Sequence, residues 1–300
     1  MPTAEFRSRD ACIACGGGSL VRVAGGRFGA EPLRSFISAD PWGTSPLPYV
    51  EQAPWELLRC GTCRQRFHRY VLAAEWDARR FDEWMGPAVH QFEQRRGVDH
   101  EAALRAGRAN AAHVLRIELL TRPVRHGAPV RFLDFGCGWG RLPAMAALFG
   151  FEAWGVDRDA WRRRDAAPGF RLCAGLEEVE GRFHAASLME VLEHLVDPMA
   201  VLRAVHDRLV PGGILVVETP DCTRVRGIAT AAEYRAIHPL DHVNAFDPPS
   251  LRRFVERAGF RVVTAPTAYL AAEPLRLARA AARSLLARLR PTTQLYCQRV

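Results

Sequence analysis

Lysine is absent from this sequence. All 41 basic residues among the 300 are arginine, and with 33 acidic residues they leave a net charge of +8. A surplus of that size ordinarily points to an anionic partner, but it is unevenly spread. Residues 1–127 carry 18 Arg against 14 acids, residues 128–260 carry 16 against 18, and residues 261–300 carry 7 against 1. The middle segment is therefore no basic cradle for nucleic acid, and the arginine bias, accompanied by abundant alanine, reads as the imprint of a GC-rich genome. Also missing is an apolar run behind Met1 to Arg7, so no secretory signal is expected. The longest apolar stretch, near Leu142 to Phe151, is far short of the roughly 18 residues that span a bilayer. A cytoplasmic protein is the expectation. There is no internal repeat and no low-complexity linker. Hydrophobic residues at 48% and charged residues at 25% exclude a disordered, fibrous or miniature chain.

What is present falls into three parts. Residues 1–90 are rich in glycine and proline and read as irregular, with Cys12, Cys15, Cys60 and Cys63 as fixed points. Residues 91–127 read as a helical connector, its helix starting near Val98 and stopped by Pro123 and Gly127. Residues 128–300 alternate short apolar runs with helical patterns. Strands are expected near 130–135, 152–156, 170–173, 183–189, 214–218, 260–265 and 294–300, with helices near 142–149, 159–164, 198–209 and 249–258. Such alternation predicts an α/β domain whose mostly parallel sheet is covered on both faces. Past Pro220 a long connection is expected.

After the first of these strands, Asp134-Phe135-Gly136-Cys137-Gly138-Trp139-Gly140 places three alternate glycines before a helix. Glycine there lets the chain turn sharply and lets a ligand lie against backbone amides. The spacing is not G-x-G-x-x-G, and no G-K-[ST] follows to make a phosphate loop. Asp157 ends the next strand, where a carboxylate can accept both hydroxyls of a ribose. The bland alternative is a tight turn beside a solvated carboxylate.

Together with Met189-Glu190-Val191-Leu192-Glu193-His194 and Leu209-Val210-Pro211-Gly212-Gly213, this run resembles the class I S-adenosylmethionine-dependent methyltransferases over residues 98–265. The resemblance implies a Rossmann-like seven-stranded sheet with an antiparallel last strand, and a connector that covers the cofactor site. It implies that Gly136, Cys137, Gly138 and Gly140 lie along the methionine part of S-adenosylmethionine, that Asp134 orients the loop or the amino group, and that Asp157 holds the ribose. Ala174 and Gly175 then border the adenine, and Met189 and Glu190 lie beside the methyl group. Cys173-Ala174-Gly175 lacks the acidic residue that many members carry there, which leaves adenine recognition to backbone amides or Glu177.

An oxygen or carbon acceptor also needs a base. The candidates are Glu190, Glu193 and His194 after the fourth strand, and His238, Asp241 and His242 in the long connection. Three readings stand side by side. Glu190, Glu193 and His194, at i, i+3 and i+4 of a helical turn, can hold Mg²⁺ or another divalent cation with a fourth ligand from His238 or His242; this is similar to metal-assisted 2′-O-methyltransferases of small RNAs and some ubiquinone-pathway O-methyltransferases. His194 or His242 can act directly as the base, at an unshifted pKa of about 6.5. Or the segment is a structural turn.

Cys12-x-x-Cys15 and Cys60-x-x-Cys63 have the spacing of an S₄ zinc site, so residues 1–90 are expected to be a small zinc-binding lobe. It resembles the amino-terminal zinc lobes of methyltransferases that act on sugars. Those enzymes carry a further large domain after the cofactor domain, whereas this chain stops at Val300. Trp76, Phe81, Trp84 and Met85 read as lobe core or as apolar contacts to an acceptor. At 274–290 a basic amphipathic helix is expected, with Arg276, Arg279, Arg283 and Arg290 on one face, suited to peripheral membrane contact or to plain solvent exposure. The expected activity is methyl transfer to a small molecule, with a hydroxyl favoured. Two alternatives remain: an RNA methyltransferase, which requires Arg22, Arg27, Arg34, Arg64, Arg66 and Arg69 to form one stripe, and a non-catalytic scaffold that binds the cofactor. Oligomeric state is not encoded in any of these patterns.

Overall fold

The glycine- and proline-rich first block supplies strands to two sheets. In the computed structural model, which describes residues 3–85, 100–267 and 291–300 with Ala278, Arg279 and Ala282, and only the backbone of 100–106, β1 (Phe6–Ser8) pairs antiparallel with β5 (Tyr70–Leu72). β2 (Leu20–Arg27), β3 (Pro54–Cys60) and β4 (Arg66–His68) form an antiparallel ladder. A register shift between Arg22 and Ala24 breaks the alternation of β2. A Cβ at Gly25 would lie 2.6 Å from the Trp55 carbonyl oxygen, so close strand approach, rather than a loop, requires that glycine. The irregular reading of this block is corrected accordingly.

The fourth strand of that ladder, β11 (Asn244–Ala245), comes from far along the chain and pairs with Arg66 and Phe67. Met1–Arg95, Leu192–Ala200 and Thr219–Phe254 accordingly form one compact unit, which reaches well beyond residue 90. The long connection is also more ordered than its sequence suggests. It contains a helix, Ala231–Ala236, closed by a capping box between Thr230 and Glu233. The core of the unit gathers Phe28, Ile37, Trp55, Trp84, Tyr234 and Ile237. Trp76 and Trp84 are buried in it, and Phe81 and Met85 are partly covered, so the two tryptophans are lobe core. Arg66 is buried too, donating to the Cys222 and Val225 carbonyls at 2.7 Å each, while Arg22 and Arg34 pair with Glu56 and Glu51. The single arginine stripe needed by the RNA alternative is not formed.

The second unit, Arg96–Val191, Val201–Glu218 and Val255–Val300, is built on a seven-stranded sheet. β6 (Arg131–Phe135), β7 (Glu152–Val156), β8 (Arg171–Cys173), β9 (Phe183–Met189) and β10 (Leu209–Glu218) run parallel. β13 (Gln294–Arg299) enters antiparallel between β10 and β12 (Phe260–Val263). The order is β12-β13-β10-β9-β6-β7-β8; seven strands with the last antiparallel are what the resemblance implies. β9 is central, and its Ala185, Ala186 and Ser187 are fully buried, as both faces of a parallel sheet require. The helix His100–Arg125 lays Val114 and Ile117 into a core with Phe132, Phe151, Ile214 and Tyr296. It continues through Pro123. The carbonyl of Leu119, which proline leaves without an intrahelical donor, sits on a residue 37% exposed. Among the described residues no helix is long and apolar enough to cross a membrane. The helix expected at 274–290 lies outside the described residues except for Ala278, Arg279 and Ala282, which are helical and exposed.

Candidate functional site

At the carboxyl end of β6 the chain folds back over β7: the amides of Gly136 and Cys137 both donate to the Val156 carbonyl, at 2.7 and 3.0 Å. Asp157, next after Val156, accepts from the Gly138 amide on Oδ2 and from the Asp159 amide on Oδ1, each at 2.8 Å. The carboxylate therefore shapes the loop as well as offering its remaining lone pairs. The three glycines have different causes. A Cβ at Gly136 would lie 2.5 Å from Val191, and one at Gly140 would lie 2.3 Å from the Phe170 ring, so both make room for the protein's own packing. Gly138 has φ 54° with nothing within 4 Å of a would-be Cβ; it faces open space where a ligand can approach. Nothing in the sequence singled out Phe170, expected as a strand residue; it precedes β8 and also packs where a Cβ on Gly155 would be.

Asp134 lies beneath the loop, 4% exposed, and accepts from the Ser187 hydroxyl at 2.6 Å. Burial pushes its carboxyl up to about 7, with Ser187 opposing and the charge of Asp157 adding. Burial likewise raises Asp157, against the pull of its amide donors and Arg162. Cys137 is partly buried, and burial raises its thiol. The Ala174 amide donates to Glu178 Oε2 at 3.1 Å, so this amide is already engaged. Met189 ends β9. Glu190 follows with φ 54° and donates its amide to the Glu218 carbonyl at 2.9 Å.

That left-handed residue corrects the expected helical turn. Residues 190–194 form no helix, and Glu190 does not join Glu193 and His194. His242 joins them instead: the ligand-type atoms of Glu193, His194 and His242 lie within 4.8 Å of one another, all inside the first unit. The rings of His194 and His242 meet edge to face at 4.6 Å. Asp241 organises the group. Its Oδ1 accepts from Arg80 at 2.5 Å and lies 3.0 Å from His194 Nδ1, while Oδ2 lies 3.7 Å from His242 Nε2. Burial alone would lower His194, but the charge and hydrogen bond of Asp241 outweigh it and raise the imidazole above its ordinary 6.5. Asp241 itself, despite burial, is held far below the usual carboxylate range by His194 and Arg80. Burial brings His242 down to about 4, against the pull of Asp241. Arg80, 161 positions from Asp241, carried no sequence signal. His238 stands apart from this set, bonded to Tyr234 at 2.7 Å and to the Leu240 amide at 3.1 Å.

The four amino-terminal cysteines converge as well. Cys12 and Cys63 Sγ are 3.4 Å apart and Cys15 and Cys60 Sγ 3.6 Å, too far for disulfides and near the about 3.8 Å edge that 2.3 Å Zn–S bonds give a tetrahedron. The amides of Ala14 and Cys63 point at the Cys12 and Cys60 sulfurs, at 3.4 and 3.5 Å. This soft donor set fits zinc. Cys173, Cys222 and Cys297 are buried and unbridged.

The model of a family described as "Methyltransferase domain" matches residues 100–265. The chain belongs to that family. The methyltransferase domain is similar to the ubiquinone biosynthesis O-methyltransferases of Caulobacter sp. (strain K31), 34% identical over 145 residues, 42% of this chain and 57% of that protein, and of Ruegeria pomeroyi, 31% identical over 138 residues, 38% and 56%. It thus spans little more than half the length of these curated relatives. Among solved structures, an amino pentose methyltransferase from Micromonospora echinaspora is 27% identical, with 40% of this chain and 55% of that one covered at a TM-score of 0.33. An S-adenosylmethionine-dependent methyltransferase from Mesorhizobium loti is 18% identical, with 63% and 98% covered at 0.41.

Two outcomes are expected of the methyltransferase domain's loop. Asp157→Ala removes two charge-assisted bonds and should weaken S-adenosylhomocysteine binding about 100-fold in titration calorimetry, with the circular dichroism of the fold kept; unchanged affinity removes the ribose assignment. Asp134 retains its proton to about pH 7 in the folded chain, whereas the unfolded carboxyl releases it near the ordinary value of 3.8. Its contribution to stability is therefore full at low pH and lost as pH rises to about 7. Thermal melts of the ligand-free protein should show that decline, and Asp134→Asn should flatten it.

Proposed function

We propose that the chain transfers a methyl group from S-adenosylmethionine to a small-molecule acceptor, a hydroxyl of a sugar, glycan precursor or secondary metabolite. The observation that carries this is Gly138, the one glycine of the loop facing open space, its amide fixed by the carboxylate that ends the next strand. On this assignment Gly136, Cys137, Gly138 and Gly140 run along the methionine part, Asp134 steadies the loop or the amino group, and Asp157 takes the ribose hydroxyls. Ala174 borders the adenine, and Met189 and Glu190 border the methyl group. The O-methyltransferase names of the relatives support an oxygen acceptor.

The sulfonium makes the methyl group electrophilic, so the protein chiefly aligns the acceptor, which supplies about 7–11 kcal/mol. A hydroxyl also has to lose a proton. His194 is the base we assign: Asp241 accepts its Nδ1–H and leaves Nε2 to take the acceptor's proton. Its raised pKa matches base strength to a near-neutral pH. Glu193 and His242 flank it. The convergence of their donor atoms favours a second reading, in which Glu193, His194 and His242 hold a divalent cation against the acceptor oxygen. The four cysteines are assigned a structural zinc.

Tritiated S-adenosylmethionine and a panel of phenols and sugars test the reading, product being extracted and counted; binding without transfer to any acceptor supports the scaffold alternative. His194→Ala should lower kcat about 10²- to 10⁴-fold with cofactor affinity unchanged, and normal turnover rules out the base. kcat/KM should rise with pH through a group above 6.5, and Asp241→Asn should move that limb to lower pH because the charge that raises His194 is gone. Activity lost on chelation and restored by Mg²⁺ selects the cation reading instead. Elemental analysis should find about one zinc per chain, and none disposes of the S₄ assignment.

A further inference from the structure

The turn that carries Glu193 and His194 has no regular structure of its own, yet the carbonyls of Leu192, Glu193, Leu195 and Val196 are engaged from outside. Asn244 donates its side-chain amide to the Leu192 and Leu195 carbonyls, at 2.8 and 2.7 Å, and its backbone amide to the Glu193 carbonyl at 3.0 Å. Asn244 is 1% exposed. Its Oδ1 in turn accepts from Arg9 at 2.8 Å. The Arg9 guanidinium spreads over four carbonyl-type acceptors: the His68 carbonyl at 2.9 Å from Nε and 2.6 Å from Nη2, the Val243 carbonyl at 2.7 Å, the Val196 carbonyl at 3.3 Å and Asn244. It lies over the Phe67 ring at 5.1 Å. One planar fork thus ties β4, the segment before β11 and the end of the His194 turn. A lysine ammonium cannot reach these divergent acceptors in one plane.

We propose that Arg9 is a positioning residue of the methyltransferase: acting through Asn244, it fixes the Glu193–His194 turn against the segment bearing Asp241 and His242. This rests on the assignment of His194 above. It gives the amino-terminal block a part in the reaction beyond that of an appended lobe. Arg9 stands three residues before Cys12, and β4 begins three residues after Cys63, so both partners of the tie leave the cysteine cluster directly.

Hydrogen exchange of the full-length protein, read by mass spectrometry, tests the tie without any acceptor. Arg9→Ala should speed exchange in peptides covering 192–196 and 241–245 and leave those covering 131–140 and 183–189 unchanged; wild-type protection at 192–196 overturns the proposal. With whichever acceptor of the panel turns over, Arg9→Ala should lower kcat about 10- to 100-fold, with KM and S-adenosylhomocysteine affinity preserved. Added guanidinium should restore part of that loss, and Arg9→Lys should not. An unaltered kcat, or a loss borne by KM or cofactor affinity, also overturns it. Should Arg9→Ala fail to fold, Asn244→Ala takes the same readouts with the same expected changes. If the wild-type protein transfers no methyl group, the base assignment fails while the exchange experiment still decides whether Arg9 holds the turn.

Discussion

Asn244 and Ala245 pair with Phe67 and Arg66 across nearly 180 positions of chain, and the first unit depends on that short ladder. A strand of two residues is worth little alone. Side chains at the same place reinforce it: Arg66 reaches the carbonyls of Cys222 and Val225, and Gln65 donates to the Ala245 carbonyl at 3.1 Å. Each of these buried donor groups meets an acceptor, and such bonds cost little to keep and much to break. Loop closure over so long a segment adds only slowly to the entropic cost with length, so a few such bonds suffice.

The second unit follows a different economy. Its parallel strands end together, and Gly136, Gly138 and Gly140 stand at that edge, but only Gly138 has open space where a side chain would be. Phe170 and Val191 occupy the spaces vacated at Gly140 and Gly136. The loop is thereby preshaped by the protein's own apolar packing, and Asp157 completes it by accepting the Gly138 amide. Rigid backbone donors and acceptors around a ligand reduce the ordering cost of binding. Asp134, buried beneath with a single hydroxyl donor, sits where a carboxylate is poorly solvated, the setting in which a cationic neighbour has most effect on it.

The seven-stranded sheet was legible because buried parallel strands are continuous apolar runs, and Phe132-Leu133, Ala185-Ala186 and Leu215-Val216-Val217 announce themselves. The first block was not. Gly25 and the shift after Arg22 interrupt the alternation of β2, and β4 owes its outer partner to residues far away, which no local pattern records. The residue types of the candidate site were visible, but their grouping was not. Glu190 left the set because its φ is positive, and His242 entered it because Asn244 seats the neighbouring segment on β4. Asp241 was visible as a possible base; Arg80, which makes it an organising anion, gave no sign in the sequence.

The position of β13 has a consequence for synthesis. Among the described residues β12 borders only β13, which joins it to β10. As the chain leaves the ribosome, Phe260–Val263 emerges before its described partner, Gln294–Arg299. Parallel pairing among β6 to β10 can be complete by then, with the edge of β10 still open. Insertion of β13 thus drives a wedge between two strands made before it, and strand edges that wait for a late partner are the ones open to chaperones and to one another.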